Sequence, residues 1–351
     1  MSSFFSKTLS GLEPYVPGEQ PAGVKYIKLN TNENPYPPCE AVVRAAESQA
    51  KQLHLYSDPD CRELIKAFCS VYGVDENEVI FTNGSDDILN FAFKAFCDSE
   101  HPAVFADITY GFYPVFAAVN CVPFETIPLK DDFTQDISSY IGVGKTVFIA
   151  NPNAPTGIAL KRSEIERIIE SNPDNVVVVD EAYVDFGAES CLPLIKKYKN
   201  LLVTQTFSKS RSMAGARLGF GVACRELIAD LNTIRFSTNP YNINRMTATC
   251  GVACLKNDAY TRENCEKIKK NRAYLEKNLA AMEFSFPPSM TNFVFAKHNC
   301  VSGEKVYLEL KKRGILVRHF TGSRIADYNR ITVGTREQCD SLINALKEII
   351  Q

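Results

Sequence analysis

The stretch Val176-Val177-Val178-Val179-Asp180-Glu181-Ala182-Tyr183 decides the reading of this chain. Four consecutive β-branched residues suit a strand buried on both faces, and such strands belong to parallel sheets covered by helices. Four further apolar runs share the pattern: Val79-Ile80-Phe81, Ala103-Val104-Phe105, Val147-Phe148-Ile149 and Leu201-Leu202-Val203. Amphipathic stretches separate them. After Ser85, for example, Leu89, Ala92 or Phe93, and Phe96 recur at helical spacing and give one apolar face. The expected fold class is α/β, with a mostly parallel central sheet.

Beyond Arg245 the character changes. A charged helical segment, Asp258 to Leu279, precedes strand-like pieces at Asn292 to Phe295 and Gly314 to Val317, and a last helix follows Thr335. Before the first run, Pro14, Pro17 and Pro21 break any helix. The expected organisation is an arm over 1–30, a large domain over 31–245 and a smaller α+β domain over 246–351. A length of 351 residues accommodates two domains.

Composition excludes several function classes. The 39 basic and 41 acidic residues leave a formal charge of −2, which gives no electrostatic case for nucleic acid or an anionic membrane. No apolar run is long enough to span a bilayer, and Met1 to Ser10 lacks a long apolar stretch, so the expectation is a cytoplasmic protein. The 12 cysteines are scattered without a CxxC pair and read as small core residues in a reducing compartment. His54, His101, His298 and His319 lie far apart, so no His-rich metal site is expected.

In open α/β sheets, ligands bind beyond the carboxyl ends of the strands. Behind the five runs stand Gly84-Ser85-Asp86, Asp107 to Tyr110, Asn151 to Gly157, Asp180 to Tyr183, and Thr206-Phe207-Ser208-Lys209 with Arg217. Each has a bland reading alone. Gly84-Ser85-Asp86 suits a turn and helix cap, Asp180 a strand end, Lys209 a solvated charge and Tyr110 a core ring. Together they supply the parts that pyridoxal phosphate requires: an amine for a Schiff base, a carboxylate for the pyridine nitrogen, a helix start and a cation for the phosphate, an aromatic ring and a phenol.

These segments resemble the class I/II aminotransferases of pyridoxal-phosphate fold type I. The similarity extends over nearly the whole chain and includes Leu29 to Pro37, Tyr56 to Pro59, Pro155-Thr156-Gly157, Ala214 to Phe220, Gly314 to Arg318 and Arg330 to Arg336. Asp180-Glu181-Ala182-Tyr183 followed by Ser208-Lys209 and an arginine eight residues on, Arg217, is a strong signal for the fold type. The Gly314 and Arg330 segments resemble the branch that acts on histidinol phosphate. The resemblance implies that Lys209 carries the Schiff base and the proton, that Asp180 pairs with the pyridine nitrogen and that Tyr183 bonds the ring oxygen O3′. Tyr110 would stack on the ring, and Gly84, Ser85, Asp86, Thr206, Ser208 and Arg217 would surround the phosphate. Arg330 and Arg318, with Asn34, would serve the substrate, and Tyr15 would close over it from the neighbouring subunit. Tyr56 would reach the partner subunit's cofactor, making a homodimer with shared sites.

The implied reaction moves an amino group between L-histidinol phosphate and 2-oxoglutarate, as a step of histidine biosynthesis. Alternatives are an aromatic or aspartate-type transaminase and a lyase resembling threonine-phosphate decarboxylase. A regulator that only binds the cofactor is disfavoured, because the irregular first thirty residues leave no room for a DNA-binding domain. One departure stands out: asparagine usually precedes Pro-Thr-Gly and bonds O3′, but here the position is Ala154.

Overall fold

A computed structural model describes residues 2, 4–20 and 26–350. Among them lie twelve strands: β1 Ile27–Leu29, β2 Val79–Thr82, β3 Ala103–Ala106, β4 Phe124–Ile127, β5 Thr146–Ala150, β6 Val177–Asp180, β7 Leu201–Thr206, β8 Gly219–Ala223, β9 Phe284–Ser285, β10 Phe293–His298, β11 Ile315–His319 and β12 Asn329–Thr332. Seven form one sheet in the order β2-β8-β7-β6-β5-β3-β4. All its pairings are parallel except those of β8, which runs antiparallel to β2 and β7. The valine run behaves as its composition demands. Val177 and Val179 join one core with Val147, Ile149, Leu201 and Val203, while Val178 joins a second core on the other face with Phe148 and Leu202. Side chains alternate between the faces of a strand, so a run apolar at every position needs cover on both.

The helix Ser85–Phe96 supplies part of that cover through Leu89, Ala92 and Phe93, and Phe93 stacks on Phe148 with centroids 4.0 Å apart. Its start sits against β8. A Cβ on Gly219 would lie 2.2 Å from the Ser85 amide nitrogen, so only glycine lets the two elements meet there.

The second sheet has the order β1-β11-β12-β10-β9. Its core draws on Leu275 and Leu279 of the helix Asp258–Ala281, Val306 and Leu310 of Gly303–Lys312, and Leu342 and Leu346 of Arg336–Ile350. Two expected boundaries move. β1 pairs in parallel with β11, Ile27 opposite Ile315, so the end of the expected arm is a strand of the second sheet. The helix Arg245–Lys256 buries Cys250, Cys254 and Leu255 in the first core beside Val42 and Leu64, although the sequence reading assigned it to the smaller domain. Pro21 lies outside the described residues. Two strands of the first sheet went unseen. β4 is a largely exposed edge, and β8 reads Gly-Phe-Gly-Val-Ala, where glycine masks the strand pattern. No helix among the described residues is long and apolar enough to cross a membrane.

Candidate active site

The strand ends of the first sheet carry the site. β6 delivers Asp180 and, after the turn, Tyr183; β7 delivers Thr206, Ser208 and Lys209. Because β8 runs antiparallel, Arg217, two residues before it, reaches the same edge. A cavity of about 210 Å³ is bounded by Asp180, Tyr183, Lys209, Ser85, Thr206 and Arg217. It adjoins a larger one of about 540 Å³, which shares Tyr110, Ala154, Tyr183 and Lys209 and adds Arg318 and Arg330 from the second sheet.

Asp180 is 5% exposed. It accepts hydrogen bonds from the Tyr113 hydroxyl at 3.1 Å and the Ala182 amide at 3.3 Å. Burial pushes its carboxyl up to about 7, against the lowering effect of Tyr113. Both described partners are neutral donors. The Lys209 ammonium donates to the Thr31 carbonyl at 3.1 Å. Burial, and secondly the like charge of Arg330, bring its amine down to about 8. The shift favours the neutral, nucleophilic amine over the ammonium.

The helix start could hold an anion. The first-turn N–H groups of Ser85–Phe96 have no intrahelical acceptor and face the smaller cavity beside Thr206 and Ser208. Gly84, at φ +81°, lets Arg217 lie over this turn: a Cβ there would come within 2.6 Å of its guanidinium. Asp86 also borders the smaller cavity. Its carboxylate accepts from Tyr110 at 2.7 Å and pairs with Arg217 at 3.0 Å, so its side chain aims those two groups, while its backbone N–H belongs to the first turn of the helix.

The two arginines from the second sheet differ. Arg330 donates to the Asn30 carbonyl at 3.2 Å, lies near the rings of Phe293 and Phe320, and keeps a buried Nε with no partner among the described residues. Arg318 donates to the carbonyls of Val16 and Pro17, each at 3.1 Å, and so pins the arm. Tyr15 stacks on Phe112 at 4.2 Å and borders the larger cavity of its own chain. Asn34 borders neither cavity. Its amide donates to the carbonyls of Lys209 and Ser210 at 3.1 and 3.0 Å, and it holds the lysine's loop. Tyr56 also borders neither; it is 78% exposed and stacks on Tyr241.

Three contributors escaped the sequence reading. Tyr113 looks like any core aromatic. Asn32 donates to the Tyr183 hydroxyl at 2.9 Å. Arg324, in the loop before β12, pairs with Asp107 at 2.9 Å and donates to the carbonyls of Leu129 and Lys130, tying one wall of the larger cavity to the first sheet. No local spacing marks any of them.

A lowered amine and a buried carboxylate bordering one cavity at parallel strand ends, with a helix start beside them, is the arrangement of a fold type I pyridoxal-phosphate enzyme. The model of the aminotransferase class I and II family matches residues 24–346, and the chain belongs to that family. Its full-length relatives are named more narrowly. It is 44% identical to histidinol-phosphate aminotransferase of Brachyspira hyodysenteriae, with all of both chains covered. It is 46% identical to the enzyme of that name from Marinomonas sp., over 99% of this chain and all of the other. The crystal structure of histidinol-phosphate aminotransferase from Sinorhizobium meliloti in complex with pyridoxal-5′-phosphate superposes with a TM-score of 0.91 at 23% identity, over 100% of this chain and 98% of that one, and so shares the fold.

Proposed function

We propose that this chain is a transaminase that moves an amino group between L-histidinol phosphate and 2-oxoglutarate, yielding 3-(imidazol-4-yl)-2-oxopropyl phosphate and L-glutamate. When bound, pyridoxal 5′-phosphate supplies the aldehyde that condenses with amines and a ring that accepts an electron pair. Lys209 would hold that aldehyde and carry a proton to and from the substrate α-carbon. Asp180 would keep the ring nitrogen protonated. Tyr183 would donate to the ring oxygen. Ser85, Thr206 and Ser208, with the first-turn amides and Arg217, would take the phosphate.

The observation that carries the substrate is the unpartnered Arg330 Nε beside Lys209 in the larger cavity. Histidinol phosphate has no carboxylate, so its phosphate must be the anionic handle, and a guanidinium serves phosphate and the glutamate carboxylate alike. Two further readings belong to the proposal. Tyr56, turned away from its own site, completes the site of a second copy in a homodimer. All twelve cysteines are unpaired, which suits a cytoplasmic enzyme.

An amino-donor panel with 2-oxoglutarate tests the substrate. Histidinol phosphate is expected to exceed phenylalanine, tyrosine and aspartate in kcat/KM, with glutamate formed and no carbon dioxide released. Equal or better turnover of an aromatic amino acid or aspartate overturns the assignment.

A further inference from the structure

We propose that Asn32 is a positioning residue for the Tyr183 phenol, supplying from the second-sheet side the amide donor that Ala154 cannot. The inference rests on the pyridoxal-phosphate reading of the site.

Ala154 and Tyr183 border both cavities, and a methyl group donates nothing. Its neighbour Asn153 does not substitute. Asn153 is buried with its Oδ1 accepting from Thr109 at 2.7 Å and its amide donating to the Ile108 carbonyl at 2.9 Å and Thr156 at 3.2 Å, so its side chain is already engaged by its own turn and the loop after β3. The amide that does meet Tyr183 comes from 151 residues away in sequence: Asn32 Nδ2 donates to the phenol oxygen at 2.9 Å.

Asn32 is held for this task. It is 1% exposed and sits at φ +56°, a left-handed conformation that Asn and Asp tolerate better than other side chains. Its amide N–H donates to the Thr332 hydroxyl at 2.9 Å, that hydroxyl donates back to Asn32 Oδ1 at 3.1 Å, and its carbonyl accepts from Asn292 at 2.9 Å. With Oδ1 engaged by Thr332, the network assigns Nδ2 to Tyr183. A phenol oxygen that already accepts a hydrogen bond keeps its own proton for another acceptor. Among the described residues Tyr183 donates to nothing, so its proton is free for the ring oxygen of the cofactor. Thr332 lies two residues beyond Arg330 on β12, on the same face of the strand, so the phenol's alignment depends on the strand that carries the substrate arginine.

The test is a pH titration of the cofactor's visible absorbance in the holoenzyme, for wild type, Asn32→Asp, Asn32→Ala, Tyr183→Phe and combinations. Asn32→Asp keeps the backbone preference and the Thr332 bond but has no donor. Hydrogen bonds to the ring oxygen stabilise its negative charge and favour the deprotonated chromophore, so losing one moves the midpoint up. An upward shift of about one pH unit is expected for either Asn32 variant, the size of one hydrogen bond to a charged oxygen. The shift should vanish in a Tyr183→Phe background and be reversed by adding Ala154→Asn. An unmoved midpoint in variants that retain the cofactor, or a shift that persists in Tyr183→Phe, overturns the proposal. A wild-type protein that acquires no cofactor band overturns the reading of the site, and the inference with it.

Discussion

The Tyr113 hydroxyl and Asp180 Oδ2 are joined by a 3.1 Å hydrogen bond in a region where both side chains are buried. Tyr113 is the one described side chain that opposes the burial penalty on this carboxyl. Tyr113→Phe should therefore move the Asp180 pKa further up and weaken its hold on a protonated ring nitrogen. About a tenfold loss in the single-turnover rate is expected, the equivalent of one hydrogen bond. Asp180→Ala should cost far more, and Asp180→Glu should keep part of the rate. A Tyr113→Phe enzyme at full single-turnover speed would show that burial alone sets Asp180.

The burial of Asp180 also predicts a pH signature in the cofactor-free protein. Its folded pKa of about 7 lies above the value near 4 that an unfolded aspartate has. The stability it contributes is therefore complete below the unfolded value and is lost as pH rises through about 7. Asp180→Asn has no proton to lose, so relative to wild type it should gain stability between pH 5 and 8, by up to ~4 kcal/mol. Urea unfolding at several pH values gives the difference. Parallel curves would rule out the raised carboxyl.

Lys209 should react as a depressed amine. Borohydride reduction should fix the cofactor to Lys209, and Lys209→Ala should abolish turnover. Cofactor capture by the ligand-free protein should accelerate with pH through a midpoint near 8. Arg330→Ala removes the largest charge that lowers this pKa, so it should move the midpoint upward. Reduction that labels another lysine would displace the assignment.

Arg330 should matter to both half-reactions. Arg330→Ala should weaken histidinol phosphate and glutamate alike, by roughly 2–5 kcal/mol in kcat/KM if each ion pair is desolvated. Lysine should rescue little, because it lacks the planar fork. Unphosphorylated histidinol should be a poor donor for wild type. A variant that loses only the glutamate half-reaction would shift the phosphate to Arg318, once the arm carbonyls release it.

Subunit mixing tests the shared site. Lys209→Ala and Tyr56→Ala proteins, each inactive or impaired, should regain activity when their subunits exchange, because a hybrid has one site with neither lesion. Exchange without recovery, followed by a labelled subunit, would place Tyr56 within its own chain.

Much of this was legible in sequence. The five apolar runs became β2, β3, β5, β6 and β7, and the residues behind them converge on one edge because parallel strands all end there. The helices after Ser85, Asp258 and Thr335 were visible as periodic patterns. β8 was not, because glycine at alternate positions removes the apolar signal while allowing the close approach to Ser85.

The sequence by itself determined the strand composition, and with it the covered parallel sheet and the set of chemical groups at its edge. Those follow from local rules: side-chain period, β-branching and what stands after each run. Only the tertiary structure decided which groups touch. Asn32 meets Tyr183, Thr31 takes the Lys209 ammonium, and Asn30 takes Arg330 because β1 docks beside β11 and carries the next three residues into the cleft. Nothing within a few residues of Asn32 encodes that meeting. Its position is set by strand pairing across nearly three hundred residues, and that pairing is stabilised by apolar burial in the second sheet rather than by the polar groups it aligns.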